Sequence, residues 1–301
     1  MNRQHPVGQG LGTPGRFAGL PDQFSQKSSS KIVILPVPFD KTSTYQKGSD
    51  NGPDALIEAS RNLELYDIET ASEVYQKGIY TDDAIVEFSS EEMLESTYRR
   101  IKNWLVQDKF VVTLGGEHSI SFAAIRAHAE HYGVLTVVQF DAHADLQTTY
   151  ENNPWSHACV MARVKELTQV VKIVSIGIRS MSSEELDNLD RPNTFFAHEI
   201  AHNDAWMDQV LEKLQGPIYV TFDLDVFDSA LMPSTGTPEP GGMQWNQVMM
   251  LFKRMAQTKK IVGFDVMELC PFPYNLAPDY LTAKLIYKFL SFKFFPPKIS
   301  P

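Results

Sequence analysis

Asp141, His143 and Asp145 occupy alternate positions of the stretch Gln139-Phe-Asp-Ala-His-Ala-Asp145. They follow Val134-Leu-Thr-Val-Val138, an apolar run that reads as a buried strand. Alternate residues of an extended segment point to one side, so three metal-type ligands leave this strand end together. Unpaired charge is costly to bury, and a bound divalent cation is the most economical reason for placing two carboxylates and an imidazole there. Three further clusters also follow apolar runs. They are Leu114-Gly-Gly-Glu-His-Ser-Ile120, Thr221-Phe-Asp-Leu-Asp-Val-Phe-Asp228 and Gly263-Phe-Asp-Val-Met-Glu268.

Asp141, Asp145, Asp223 and Asp225 would bring four negative charges into one pocket. Like charges that close raise one another's pKa strongly unless cations compensate, and two divalent ions supply four positive charges. With His118 and His143 the inventory is four carboxylates and two imidazoles. That mixture suits Mn²⁺, Zn²⁺, Ni²⁺ or Co²⁺ better than Ca²⁺ or Mg²⁺. Asp265 is expected to support a loop or a histidine from behind, and Asp228 to support a ligand in the same way or to form a turn. His157 lies on a loop twelve residues beyond Asp145 and is not spaced as a ligand. Beside a metal-activated water, a histidine there is a natural proton carrier. His128, His131 and His202, in helical or polar surroundings, are expected at the surface.

These clusters need a frame that brings strand ends together. Apolar runs at 31–37, 77–82, 110–114, 134–140, 171–178, 194–199, 217–224 and 260–267 read as strands. Amphipathic stretches at about 53–63, 91–108, 119–132, 155–168, 183–190, 204–215, 244–258 and 278–292 read as helices. Eight strands alternating with helices imply an α/β fold with a mostly parallel sheet covered on both faces. In such sheets ligands bind at the carboxyl ends of the strands. Residues 1–30, rich in Gly, Pro, Gln and Ser, read as an irregular arm, and 31–301 as a single domain. The 301 residues carry a net charge of −10 with no Lys/Arg-rich tract, which argues against nucleic acid as a partner. No apolar run reaches the length of a membrane span. Cys159 and Cys270 do not form a disulfide framework, and the expected location is the cytoplasm.

Taken together the clusters resemble the ureohydrolase family, which includes arginase, agmatinase, guanidinobutyrase and formiminoglutamase. The family motifs GG-[DE]-H-S, D-A-H-x-D, S-H-[GA], D-x-D-x-x-D and G-x-D-x-x-E have counterparts here. They are Gly115-Gly-Glu-His-Ser119, Asp141-Ala-His-Ala-Asp145, Ser156-His-Ala158, Asp223-Leu-Asp-Val-Phe-Asp228 and Gly263-Phe-Asp-Val-Met-Glu268, in the family order. The resemblance implies a three-layer α/β/α fold around an eight-stranded sheet and two Mn²⁺ per subunit. One ion would be held by His118, Asp141, Asp145 and Asp223, the other by Asp141, His143, Asp223 and Asp225. A hydroxide bridging them would attack the carbon of a guanidino substrate, releasing urea and an amine. The resemblance gives Asp145 the aiming of the hydroxide, Glu268 the pairing with the guanidinium and His157 the relay of a proton. It also implies a homo-oligomer, trimer or hexamer, as in agmatinases.

Substrate choice is read from the residues after Asp145. The stretch Tyr150–Arg163 and the segment Arg16-Phe-Ala-Gly-Leu-Pro21 resemble microbial agmatinases. The acidic residue that arginases carry shortly after the position of Arg179 is missing. Glu151 is expected to attract the distal ammonium of agmatine, which would yield putrescine and urea and place the reaction in polyamine biosynthesis. A pocket lined by Trp155 would instead select guanidinobutyrate or free guanidine, the latter with Ni²⁺. A family member that had lost catalysis would lack ligands, and all six positions are filled here.

Overall fold

The structure is a computed structural model in which residue 13 and residues 15–298 are described. Eight strands form one sheet: β1 Ile32–Val37, β2 Ile79–Thr81, β3 Phe110–Gly115, β4 Leu135–Phe140, β5 Val170–Ile178, β6 Thr194–Phe196, β7 Pro217–Asp223 and β8 Lys260–Met267. Their order is β2-β1-β3-β8-β7-β4-β5-β6, and every pairing between neighbours is parallel. β1, β3 and β4 are buried along their whole length, as continuous apolar runs covered on both faces must be.

Among the described residues eight α-helices make the covering layers: α1 Gly52–Ser60, α2 Ser90–Leu105, α3 Ser121–Tyr132, α4 Val160–Lys165, α5 Ala197–Ile200, α6 Trp206–Lys213, α7 Trp245–Thr258 and α8 Ala277–Phe294. α1, α7 and α8 pack together over one face, joined by Trp206, Met207 and Val210 of α6. α2, α3 and α4 cover the other. α2 starts as its sequence dictates: the Ser89 side chain accepts the N–H of Glu92, and Glu91 and Glu92 put acid in the first turn. Among the described residues no helix is long and apolar enough to cross a membrane.

Four details depart from the sequence-based expectations. The run at 194–199 is a strand only to Phe196 and continues as the short α5. The helix expected over 155–168 is confined to Val160–Lys165, after a 3₁₀ turn at His157–Cys159. Residues 183–188 form a 3₁₀ segment rather than an α-helix. His128 is wholly buried rather than at the surface, because the bare Cα of Gly263 leaves room for its ring against Tyr219. Burial holds its pKa down at about 4. The expected arm over 1–30 falls partly outside the described residues. Its described end packs on the sheet layer, with Phe17, Ala18 and Leu20 buried in the core.

The pair Gly115–Gly116 serves close approach rather than a left-handed turn. A Cβ on Gly115 would lie 1.9 Å from the Met267 sulfur, and one on Gly116 2.0 Å from the Phe39 carbonyl oxygen. That oxygen is held in place by the Glu117 N–H at 2.9 Å. Overpacking of this kind costs about 1–3 kcal/mol or more. Gly116→Ala is therefore expected to lower the melting temperature by several degrees; an unchanged melting curve would show that the Phe39 turn yields freely.

Candidate metal and active site

The strand order explains how residues more than a hundred positions apart meet. β3, β8, β7 and β4 are adjacent at the centre of the sheet. Leu114, Val266, Phe222 and Phe140 lie in one cross-strand row. Because all four strands run the same way, the residues after that row emerge at one edge. They are the Gly115–His118 turn, Glu268, Asp223 with Asp225, and Asp141 with His143 and Asp145. The loop after β1 closes the cleft from the side. Its Ser43, Thr44, Tyr45 and Gln46 line the cleft with His118, His143, Asp145, His157, Asp223, Asp225, Gly236, Thr237 and Glu268.

Ligand atoms of His118, Asp141 and Asp145 lie within 4.8 Å of one another, as do those of Asp141, His143 and Asp225, so Asp141 is common to two adjoining groups. His118 Nδ1 faces oxygens of Asp141 at 3.0 Å, Asp145 at 3.0 Å and Asp223 at 3.4 Å. None of them is aligned for a hydrogen bond, and Nδ1 is a buried atom without a partner. The other ring nitrogen explains why. Thr221 Oγ1 donates to Asp265 at 2.7 Å, so it must accept the proton of His118 Nε2, 2.9 Å away. The Nδ1 lone pair is then aimed at carboxylates, an arrangement that repels unless a cation stands between. Asp265 is the support from behind expected of it, with its second oxygen held by Tyr219 at 2.8 Å.

The other groups are held as tightly. His143 Nδ1 lies 2.9 Å from Asp225, whose other oxygen accepts the Ala142 N–H at 2.9 Å. Asp141 accepts the His143 N–H and Gln139 Nε2, and Asp223 accepts the Asp225 N–H. Burial and the nearby Asp141 carboxylate push Asp145 up to about 7. Asp223 is raised well above the carboxylate range by burial together with Asp225 and Asp141. Burial opposes charge on His143, yet Asp225 outweighs it and raises the imidazole to about 10. All three directions report an excess of buried negative charge, which two divalent cations would balance. The donor set and the orphaned His118 nitrogen fit such a pair.

Glu268 reaches the cleft from β8, and its Oε1 accepts the backbone N–H of His118 at 2.6 Å. Asp145 and Glu268 both have left-handed backbones, at φ 54° and 68°, a conformation that costs a non-glycine residue of order 1–3 kcal/mol and clusters at functional sites. His157 lines the cleft and is held low, at about 4, by burial and by the neighbouring imidazoles. Asp228 forms the expected turn, accepting the N–H groups of Ala230, Gly241 and Gly242.

The structure does not bring every expected residue to the cleft. Trp155 is not among the lining residues. Its ring packs on Phe122, 5.4 Å between centroids, in the layer formed by α2, α3 and α4. Glu151 sits exposed on the Tyr150–Asn153 turn, beside Tyr150, whose ring meets His157 edge-on. The lining loop 43–46 had a sequence signal, a polar run a few residues after a strand, but no ligand-type residue to draw attention to it. Arg179, directly after β5, clamps backbone: it donates to the carbonyls of Asp225, Phe227 and Glu239.

A parallel sheet covered by helices on both faces carries two adjoining His/Asp clusters at its central carboxyl edge, and the sequence pattern of the arginase family matches residues 30–291. The chain belongs to that family and is a ureohydrolase. An N(1)-aminopropylagmatine ureohydrolase of Synechocystis sp. is 35% identical over 297 residues, covering 93% of this chain and 96% of that protein. An agmatinase of Pyrococcus horikoshii is 32% identical over 259 residues, covering 85% and 89%. The crystal structure of agmatine ureohydrolase of Thermoplasma volcanium superposes with a TM-score of 0.82 at 32% identity, covering 90% of this chain and 92% of that one.

Proposed function

We propose that this ureohydrolase acts on a guanidinium carried by an aliphatic amine, with agmatine as its substrate and putrescine and urea as products. The observation that carries this reading is the lining of the cleft. Among the described residues it contains four carboxylates and three imidazoles but no Arg or Lys. A substrate with a free carboxylate, such as arginine or guanidinobutyrate, would meet no guanidinium or ammonium among those residues, whereas a cationic tail meets the carboxylates. Glu151, on its exposed turn beside Tyr150, is proposed to meet that tail at the rim. A second reading, N(1)-aminopropylagmatine giving spermidine and urea, is favoured by the names of relatives from Synechocystis and Thermus thermophilus.

His118, Asp141, Asp145 and Asp223 would hold one cation and Asp141, His143, Asp223 and Asp225 the other, with Mn²⁺ suited to this imidazole–carboxylate set. When bound, the ions supply Lewis-acid activation of water near neutral pH. Glu268 has Oε1 fixed by the His118 N–H and presents Oε2 to the guanidinium N–H groups. The guanidinium carbon is thereby placed over the aspartates. His157 hands a proton to the departing amine. Urea release from agmatine, N(1)-aminopropylagmatine, arginine, guanidinobutyrate and guanidine, with Mn²⁺ and Ni²⁺ separately, tests the reading. One of the two amine-tailed substrates should have the highest kcat/KM. A preference for arginine or guanidinobutyrate would overturn it.

A further inference from the structure

Behind His157 stands a buried group that the reaction as described does not use. Glu117 is wholly buried. Its Oε2 accepts the backbone N–H groups of Lys41 at 2.8 Å and Thr42 at 2.5 Å. Its Oε1 accepts the hydroxyls of Thr42 at 2.7 Å and Ser119 at 2.6 Å. Thr42 has one hydroxyl proton, and the carboxylate takes it. The remaining lone pairs of Thr42 Oγ1 accept the backbone N–H of His157 at 3.0 Å and face its ring Nδ1 at 3.1 Å.

A neutral imidazole carries one ring proton, on one of two nitrogens. Facing an oxygen with no proton left to give, Nδ1 must be the nitrogen that carries it. Ser156 Oγ, 3.3 Å from Nδ1, is farther away and can accept as readily as donate. Nε2 lies on the opposite edge of a ring that lines the cleft. We propose that Glu117 and Thr42 are positioning residues that fix the tautomer of His157, holding its proton on Nδ1 and presenting Nε2 to the cleft as a bare acceptor. This rests on His157 being the proton carrier. It adds the direction of transfer: Nε2 must first take a proton from the solvent or substrate side before it can give one to the leaving amine. The chain Glu117–Thr42–His157 joins the ends of β1 and β3 to the loop after β4, so the tautomer is set by the same sheet edge that gathers the aspartates.

Isosteric variants separate hydrogen-bond polarity from shape. Thr42→Val keeps the volume and removes the hydroxyl; Thr42→Ser keeps the hydroxyl. Glu117→Gln reverses the chain. The two backbone N–H groups require the amide oxygen where Oε2 stood, so the amide nitrogen donates to Thr42. The Thr42 proton then turns to Nδ1, and the ring proton moves to Nε2. The readouts are kcat, KM and metal per subunit of the Mn²⁺ enzyme, and the ring ¹⁵N shifts of His157 in the diamagnetic Zn²⁺ enzyme, assigned against His157→Asn. Wild type is expected to show a protonated Nδ1 and a bare Nε2, and Glu117→Gln the reverse. General acid–base groups contribute about 10²–10⁴-fold. Thr42→Val and Glu117→Gln should therefore lose kcat about tenfold or more, with KM and metal content within twofold of wild type, and Thr42→Ser should regain most of it. A bare Nδ1 in wild type overturns the proposal. So does a Thr42→Val enzyme with full kcat when His157→Asn is slow. Full kcat in His157→Asn would instead sink the proton-carrier reading, and the ¹⁵N shifts would still report the tautomer.

Discussion

Asp223→Asn is expected to lower the metal content below two per subunit and to reduce kcat/KM by about a thousandfold or more. Asp223 lines the cleft beside the cluster. One oxygen accepts the Asp225 N–H, and the other lies 3.4 Å from the unpartnered His118 nitrogen. An amide keeps the first bond through its oxygen but places N–H donors where a cation needs a lone pair. Metal ions contribute several kcal/mol of charge stabilisation in such reactions, and each 1.36 kcal/mol is tenfold in rate. The stability effect should have the opposite sign without metal. Burial and the neighbouring aspartates raise the Asp223 pKa, so its ionised form destabilises the fold at neutral pH. In a chelator, Asp223→Asn should melt at or above the temperature of wild type. With Mn²⁺, wild type should gain stability by mass action while the variant gains less. A variant that binds two ions and turns over normally would show that the metals sit elsewhere.

Much of this cluster was legible in the sequence because strand ends are. A polar group directly after a continuous apolar run is conspicuous, and Asp141, Asp223, Asp265 and the Gly115–His118 turn each stand at such a place. The order of the strands was not legible. Parallel strands are joined by crossovers, and the sequence of crossovers does not say which strands become neighbours. That β8 lies between β3 and β7 is what places Glu268 against the His118 backbone, 150 positions away. Residues whose work lies in hydrogen-bond polarity were also hidden. Thr42 and Thr221 carry no charge and fall in no ligand spacing, yet each has its proton directed away from a histidine by a buried carboxylate. Trp155 misled for a related reason: a large aromatic in a polar loop suggests a pocket wall, and here Phe122 of α3 offered it a better surface.

Glu268→Gln is expected to lower kcat/KM for the guanidino substrate about 10²–10³-fold while leaving both metals in place. The carboxylate is buried, has a left-handed backbone and is fixed through Oε1 by the His118 N–H. In the amide, the His118 N–H still requires an oxygen partner, so the nitrogen must occupy the position of Oε2. Its N–H groups would then point at those of the guanidinium, donor against donor. Removing one partner of a buried charge pair costs about 2–5 kcal/mol, which sets the scale of the loss. A purely structural Glu268, needed only to hold the His118 turn, predicts a different pattern. The amide would satisfy that turn as well as the acid does, and activity would survive. Two ligands tell the cases apart. Inhibition by free guanidinium ion should weaken in the variant by a factor close to the loss in kcat/KM. Inhibition by putrescine, which has no guanidinium to pair with Oε2, should change little. Parallel weakening of both would mean that Glu268 sets the potential of the whole cleft instead of gripping one group, because a general loss of negative charge acts on any cation that enters.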